Sequence, residues 1–184
     1  NPSLQPESGW GTEIGVKQGF LFGTWKGMVD VAIFRTQYKN MIEFIFGYYG
    51  PDPSTISNPF PYYGFAAQNY TNARISGVEL STGAEGYFGK VHAIITGGYT
   101  KINPLNLDSI DAVISKNKYL KYRNNDLFRF NADVDYKGFS AGTTIRYNSF
   151  MNNIDEAFNG LLPGVKKYRE SHPNGDWLFD IRIA

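Results

Sequence analysis

From Leu127 to Tyr147 the chain alternates between two kinds of side chain, in two runs joined at Lys137-Gly138. In the first run Phe128, Phe130, Ala132, Val134 and Tyr136 share one face, and Leu127, Arg129, Asn131, Asp133 and Asp135 share the other. In the second, Phe139, Ala141, Thr143, Ile145 and Tyr147 oppose Ser140, Gly142, Thr144, Arg146 and Asn148. Successive side chains of a strand point to opposite faces, so a sustained period of two predicts strands, and the short Gly-containing link predicts a β-hairpin. One face is apolar with aromatics at both ends. The other carries charges, hydroxyls and glycine.

The same pattern recurs along the chain. Asn1 to Ser8 reads as an extended, Pro-containing lead-in. Gly9 to Phe20 then sets Trp10, Thr12, Ile14, Val16 and Phe20 against Gly11, Glu13, Gly15, Lys17 and Gly19, with a turn at Leu21 to Thr24. From Trp25 to about Phe46, Val29, Val31 and Ile33 oppose Met28, Asp30 and Ala32. Near Phe34-Arg35 the phase is ambiguous, and either a bulge or the strand leaving an apolar layer accounts for it. Gly47 to Phe65 is a Pro-, Gly-, Ser- and Tyr-rich loop. Asn69 to Glu85 and Lys90 to Ile102 are two more strands around a turn at Gly86 to Gly89. Asn103 to Asn125 is a second long connection with a helical turn expected at Asp108 to Ser115. Met151 to Gly175 is a third, helical at Asp155 to Phe158, with Pro163-Gly164 and Asn174-Gly175 as breakers. The last segment, Asp176 to Ala184, sets Trp177, Phe179, Ile181 and Ile183 against Leu178, Asp180 and Arg182.

The fold class is therefore all-β, with seven antiparallel up-and-down strands. Short and long links alternate, which gathers the tight turns at one end of the sheet and the long loops at the other, as in outer-membrane barrels. Phe20, Trp25, Tyr87, Phe88, Tyr136 and Phe139 cluster at the turn end, and Trp10, Tyr99, Phe128, Tyr147 and Trp177 near the loop end. Between them the apolar face is uncharged over the roughly 9 to 11 residues a tilted strand needs to cross a bilayer. The alternative is a soluble β-sandwich, a carbohydrate-binding module whose apolar faces, with Ile14, Val78 and Ile145, pack on a second sheet.

Composition narrows the partners. Lys+Arg at 18 against Asp+Glu at 17 leaves a net charge of +1, so no nucleic-acid partner is expected. Cysteine is absent, which removes disulfides and thiolate metal sites. No run of the sequence has the length and apolarity of a transmembrane helix, but barrel strands turn only half their residues to lipid, so a mean hydropathy of −0.35 is compatible with a membrane barrel.

No catalytic constellation emerges. There is no Gly-x-Ser-x-Gly elbow, and His92 and His172 stand apart without a recognised metal spacing, so neither an enzyme nor a resident metal or other cofactor is expected. The sequon Asn69-Tyr70-Thr71 falls where a strand begins and carries no expectation. Glu13, Lys17, Asp30, Glu79, Arg129, Asp133, Asp135, Arg146, Asp180 and Arg182 share the polar face and have mixed sign, as a hydrated lumen wall requires. In the long connections, aromatic Tyr48, Tyr49, Tyr62 and Tyr63 with basic Lys121, Arg123, Lys167 and Arg169 are the candidate ligand-binding residues. Phe60, Phe65, Lys116, Lys118 and Lys166 accompany them. Stacking and cationic groups suit an anionic metal chelate. The same types also belong in solvated loops at the level of lipid headgroups or lipopolysaccharide.

Several stretches carry a family resemblance. Asn1-Pro2-Ser3-Leu4-Gln5-Pro6-Glu7-Ser8, followed by Gly11-Thr12-Glu13-Ile14-Gly15-Val16-Lys17, is similar to the "NPxLKPE" and "xxELGxK" pieces of TonB-dependent outer-membrane receptors. Val31-Ala32-Ile33-Phe34 with Asn40-Met41-Ile42, then Asn72 through Leu80 with its Gly77-Val78-Glu79, then Gly98-Tyr99-Thr100 follow in the family's order. Leu162-Pro163-Gly164, Tyr168-Arg169 and Asp180-Ile181-Arg182 resemble members from the Bacteroidetes branch. The resemblance implies a partial receptor barrel over the whole chain, roughly strands 14 to 20 of about 22, with the plug domain and last strands outside it. It further implies a multi-pass place in the bacterial outer membrane, contact with its lipid and lipopolysaccharide, energy from the TonB complex of the inner membrane, and import of a scarce small-molecule nutrient. A ferric siderophore or haem fits that class.

If the apolar face of the Leu127–Tyr147 hairpin meets lipid, Ala132→Arg costs about 2–4 kcal/mol near the midplane. Refolding of the intact receptor into lipid vesicles across a urea series reads this directly; an unchanged midpoint would exclude that orientation.

Overall fold

Three two-residue turns set the register of the sheet. Gly23-Thr24 and Gly89-Lys90 each place glycine first, at φ +58° and +62°, as a type II′ hairpin requires. Lys137-Gly138 has positive φ at both positions, +48° and +85°, the type I′ form. The computed structural model describes residues 3–108 and 118–184, apart from the side chains of Tyr70 and Thr71. The strands are β1 (Ser8–Phe22), β2 (Trp25–Tyr48), β3 (Tyr63–Phe88), β4 (Val91–Asn106), β5 (Asp126–Tyr136), β6 (Phe139–Asn148) and β7 (Asp176–Ile183). They form one seven-stranded antiparallel sheet in the order of the sequence. The expected up-and-down all-β architecture is thus observed.

The strands reach further than alternation alone indicates. Leu21 and Phe22 still pair with Lys26 and Trp25, Tyr87 and Phe88 with His92 and Val91, and Tyr48 with Tyr63. The turns shrink to two residues because glycine takes up the whole reversal, and the first long loop shrinks to residues 49–62. That loop holds two 3-10 turns, Pro53–Thr55 and Phe60–Tyr62. The last connection contains α1 (Ala157–Leu161) and α2 (Val165–Ser171), separated by Gly164 at φ +87°. The helical turn expected from Asp108 to Ser115 lies, from residue 109 onward, outside the described residues, as does Lys116.

The phase ambiguity at Phe34-Arg35 comes from the strand leaving its apolar layer. Pairing runs unbroken through Phe34↔Gly77 and Arg35↔Ser76. Phe34 covers Gly77 on the polar face, and Arg35 lies on the apolar face with its guanidinium 5.9 Å from the Trp10 ring centroid. The register shift comes later, between Tyr38 and Ile42, where Asn40 adopts φ +54°. Side-chain amides replace the missing ladder there. Asn69 donates to the carbonyls of Gln5 and Asn40, both at 2.9 Å, and accepts from Gln5 N at 2.7 Å. Both N–H groups and the carbonyl oxygen of the sequon asparagine, engaged in this way, tie the lead-in segment to the bulge.

Buried apolar residues among those described are few; Ala93 lies near the turn end and the rest gather at the loop end. Met41, Ala73 and Leu120 form the cluster, with Tyr38 and Ile75 packed against it. Leu120 arrives from the connection between β4 and β5, which folds back so that its N–H donates to Pro104 O at 2.9 Å. Strand alternation puts Ala73, Ile75 and Pro104 on the polar face, so this loop covers the end of that face. Elsewhere the apolar face has no cover: Ile14 is 68% exposed, Val78 42% and Ile181 77%. A sandwich needs a second sheet over these residues, and the single sheet has none, so the soluble-module alternative is not favoured. No helix among the described residues is long and apolar enough to cross a membrane, a statement that does not bear on strands.

Aromatic rings fill the gaps that strand glycines leave. A Cβ at Gly77 would lie 2.5 Å from Lys101 O and 2.7 Å from the Phe34 ring. At Gly142 it would meet only the tips of Asp133 and Arg182, at 2.2 and 2.7 Å. Gly77→Ala is therefore expected to cost about 1–3 kcal/mol by overpacking, and Gly142→Ala less, because side-chain tips swing away and backbone does not. Urea unfolding of the two variants in lipid vesicles gives the ranking.

Candidate functional site on the polar face and loop rim

Register places Glu13, Lys17, Glu79, Arg129, Asp133, Asp135, Arg146, Asp180 and Arg182 on one face, opposite Ile14, Val78 and Ile145. Several pair across strands. Lys17 meets Asp30 at 3.0 Å, Arg146 meets Asp180 at 2.8 Å, and Arg182 meets Asp133 at 2.8 Å. The last pair joins β7 to β5 across β6, and passes over Gly142 because a larger residue would occupy its path. Hydroxyls and amides continue the chain: Arg182 donates to Thr144, Thr144 to Asn131, and Asn131 to Thr96. Glu13, Glu79 and Arg129 make no ion pair among the described residues. Half-exposed pairs of this kind are worth about 0–1 kcal/mol each, so the network shapes a wet polar wall more than it holds the sheet together.

His92 is not isolated. Its ring meets Glu85 at 3.0 Å and Asp135 at 3.5 Å, and stacks obliquely on Tyr87 at 4.9 Å. Tyr87 thus belongs to the polar face, not to the girdle expected at the turn end. The hairpin register carries the missed signal: counting back from Gly89-Lys90 sets Tyr87 opposite His92 and Glu85 diagonal to it. No group of three or more such side chains suited to a metal occurs among the described residues. His172 stacks on Tyr168 at 4.2 Å in α2.

At the loop end the candidate residues separate into two groups. Tyr48, Tyr62 and Tyr63 converge, with ring centroids 6.0 and 5.3 Å from Tyr48, while Tyr49 donates its hydroxyl to Ile45 O. Tyr48 and Tyr63 are strand tips, not loop residues. Phe158 of α1 docks on this rim, 5.3 Å from Phe46 and 5.9 Å from Phe65. Lys121 and Arg123 lie behind it and are already neutralised: Lys121 by Asp155, and Arg123 by Glu43 at 2.9 Å. Tyr122 also donates to Asp155. Burial, ahead of the Asp155 charge, pushes the Tyr122 phenol well above its ordinary range. Burial likewise raises the Glu43 carboxyl, outweighing Arg123 and Lys121. Lys167 is exposed on α2 without an ion-pair partner among the described residues, and Arg169 lies over the Phe150 ring at 4.3 Å. Glu43, Asp155 and Phe158 join segments so far apart in sequence that no local pattern announces them.

The arrangement offers binding surfaces, one polar and wet, one aromatic. The family model described as TonB dependent receptor-like, beta-barrel matches residues 1–184. No curated protein matches the chain.

Asp155 holds both Lys121 and Tyr122, so Asp155→Ala leaves a half-buried ammonium and phenol without it, at a local cost of about 3 kcal/mol. Hydrogen exchange at the Tyr122 amide, which donates to Asn153 O at 2.9 Å, is expected to accelerate while exchange in β5 and β6 stays unchanged.

Proposed function

Since the chain belongs to the TonB-dependent receptor-like β-barrel family, whose members are receptors and transporters of the outer membrane, we propose that its seven strands form part of a barrel of about 22 that imports a scarce nutrient. The observation that carries this reading is the contrast between faces: exposed Ile14, Val16, Ile33, Phe179 and Ile181 on one side, and cross-strand ion pairs on the other. The first set faces lipid. The second lines a lumen that a plug domain fills, and Glu13, Glu79 and Arg129, lacking ion pairs in the sheet, bond to that plug. Energy comes from the TonB complex of the inner membrane. The chain does no covalent chemistry; it holds its substrate by contact and lets it pass.

The substrate class is an anionic metal chelate, such as a ferric siderophore or haem. The tyrosine cluster of Tyr48, Tyr62 and Tyr63 supports a planar or aromatic ligand, and the cations Lys167 and Arg169 support a negative one. Lys121 and Arg123 act at one remove, anchoring the connection that backs the rim.

Growth on iron-limited medium tests this in cells that depend on the intact receptor. Deleting it is expected to abolish growth on one class of ferric chelate, and Tyr48→Ala with Tyr63→Ala to weaken binding at least about fivefold, as for aromatic anchors in general. Loss of an uncharged nutrient, such as an oligosaccharide, with all chelate uptake intact would overturn the substrate assignment.

A further inference from the structure

The ion pair of Lys121 with Asp155 differs from the others in its burial. Its side chains are 16% and 10% exposed, whereas the other lysines in ion pairs among the described residues are at least 62% exposed. Withdrawing an ammonium and a carboxylate from water together is costly, and a neutral group in their place would avoid that cost.

The two connections that carry the pair are held in fixed alignment. Asn124 bridges to Met151, the Tyr122 amide donates to Asn153 O at 2.9 Å, and Asn153 Nδ2 donates to Tyr119 O at 2.7 Å. Tyr122 adopts φ +57°, which breaks the alternation of an extended chain and turns consecutive side chains to the same carboxylate. Lys121 Nζ meets Asp155 Oδ1, and the Tyr122 hydroxyl donates to Oδ2. Glu43, held by Arg123 at 2.9 Å, stands close enough to Lys121 and Asp155 for both their charges to act on it. The Phe158 ring, 6.2 Å from Tyr122 and 5.3 Å from Phe46, adds an apolar wall.

We propose that Lys121 Nζ and Asp155 Cγ become joined in an isopeptide bond, with Glu43 relaying a proton and Tyr122 holding the carbonyl oxygen. A proton first passes from the Lys121 ammonium to Asp155 Oδ1, leaving an amine beside a carboxylic acid. The nitrogen lone pair then attacks Cγ, and the carbonyl electron pair moves onto Oδ2, where the Tyr122 hydroxyl stabilises it. Glu43 takes the second proton from nitrogen and delivers it to Oδ1, which leaves as water while the carbonyl re-forms at Oδ2. One ammonium and one carboxylate thus become one amide and one water. Burial raises the Glu43 carboxyl, which suits it to carry that proton. Groups held in this way react as if present at roughly 10⁵–10⁸ M, which favours condensation in a site that excludes water. The bond ties the connection after β4 to the one after β6, behind the aromatic rim. It forms once, within the chain, and leaves the substrate chemically untouched, so it stands or falls independently of the transport reading.

The test is the mass of the intact receptor, purified from the cells that make it and denatured before measurement. The unaltered protein is expected to be lighter than its sequence by one water, and its tryptic digest to contain a branched peptide joining Lys121 to Asp155. Lys121→Arg keeps a cation for Asp155 but offers no amine, and is expected to restore the full mass and two linear peptides. Glu43→Gln is expected to slow bond formation at least about a hundredfold in pulse-labelled protein, the usual size of general acid–base assistance. A receptor at its full mass, with Lys121 and Asp155 in unbranched peptides, would overturn the bond. A missing water that persists in Lys121→Arg would do the same, because the loss then lies elsewhere. A branch from Lys121 to Glu43 would overturn Asp155 as the acceptor, and an unchanged rate in Glu43→Gln would overturn the relay.

Discussion

A strand that crosses hydrocarbon can leave no backbone N–H or C=O without a partner, because no water is there to take one. Everything regular in this chain follows from that constraint. The middle strands β2 to β6 are bonded on both sides, and the tight turns reverse direction in two residues without opening a gap in the ladder. Alternation then follows as a second consequence. Once pairing fixes the faces, one residue in two lies on the apolar face and the next on the polar one, so Val78 and Glu79 can be neighbours in sequence and have different surroundings. Where the strands rise out of the apolar band the constraint relaxes. There the bulge at Asn40 appears, with Asn69 and Gln5 supplying the bonds that the ladder no longer makes.

The constraint also explains what the sequence disclosed. Strand number, order and faces were legible because the period of two is repeated seven times and the turn residues have few alternatives. The ends of the strands were not. Tyr63 to Gln68 and Asn103 to Asn106 pair as regularly as the rest, yet they lie beyond the apolar band, where no apolar neighbour recurs at every second residue. The same loss of contrast made Phe34-Arg35 look like a slip of phase. It is a change of surroundings: an aromatic ring occupies the space above Gly77, and a guanidinium stands on the apolar face beside the Trp10 ring.

The candidate site was legible in kind and not in arrangement. Tyrosines and cations in the long connections made the loop end the candidate contact surface, and of these residues Tyr48, Tyr62 and Tyr63 converge. Nothing in the order of residues showed that Lys121 and Arg123 are already committed to Asp155 and Glu43. Such pairs are set by how three connections fold over one another, and that depends on the width and twist of the sheet beneath them. His92 is the opposite case. Its partners Glu85 and Asp135 follow from counting out of the two adjoining hairpins, so the information was local and needed only the turn length to be read.

The cluster of Met41, Ala73 and Leu120 has a further consequence, for how the sheet is assembled. Hairpins with two-residue turns form from near neighbours and can form early, but each could also form one residue out of step. Leu120 can reach Ala73 and Met41 only when β2, β3 and β4 are in register and the bulge lies between Tyr38 and Ile42. A sheet shifted by one residue would offer it a position on the wrong face. The folded-back connection therefore discriminates among alignments of the strands beneath it, because its Leu120 fits the correct one alone.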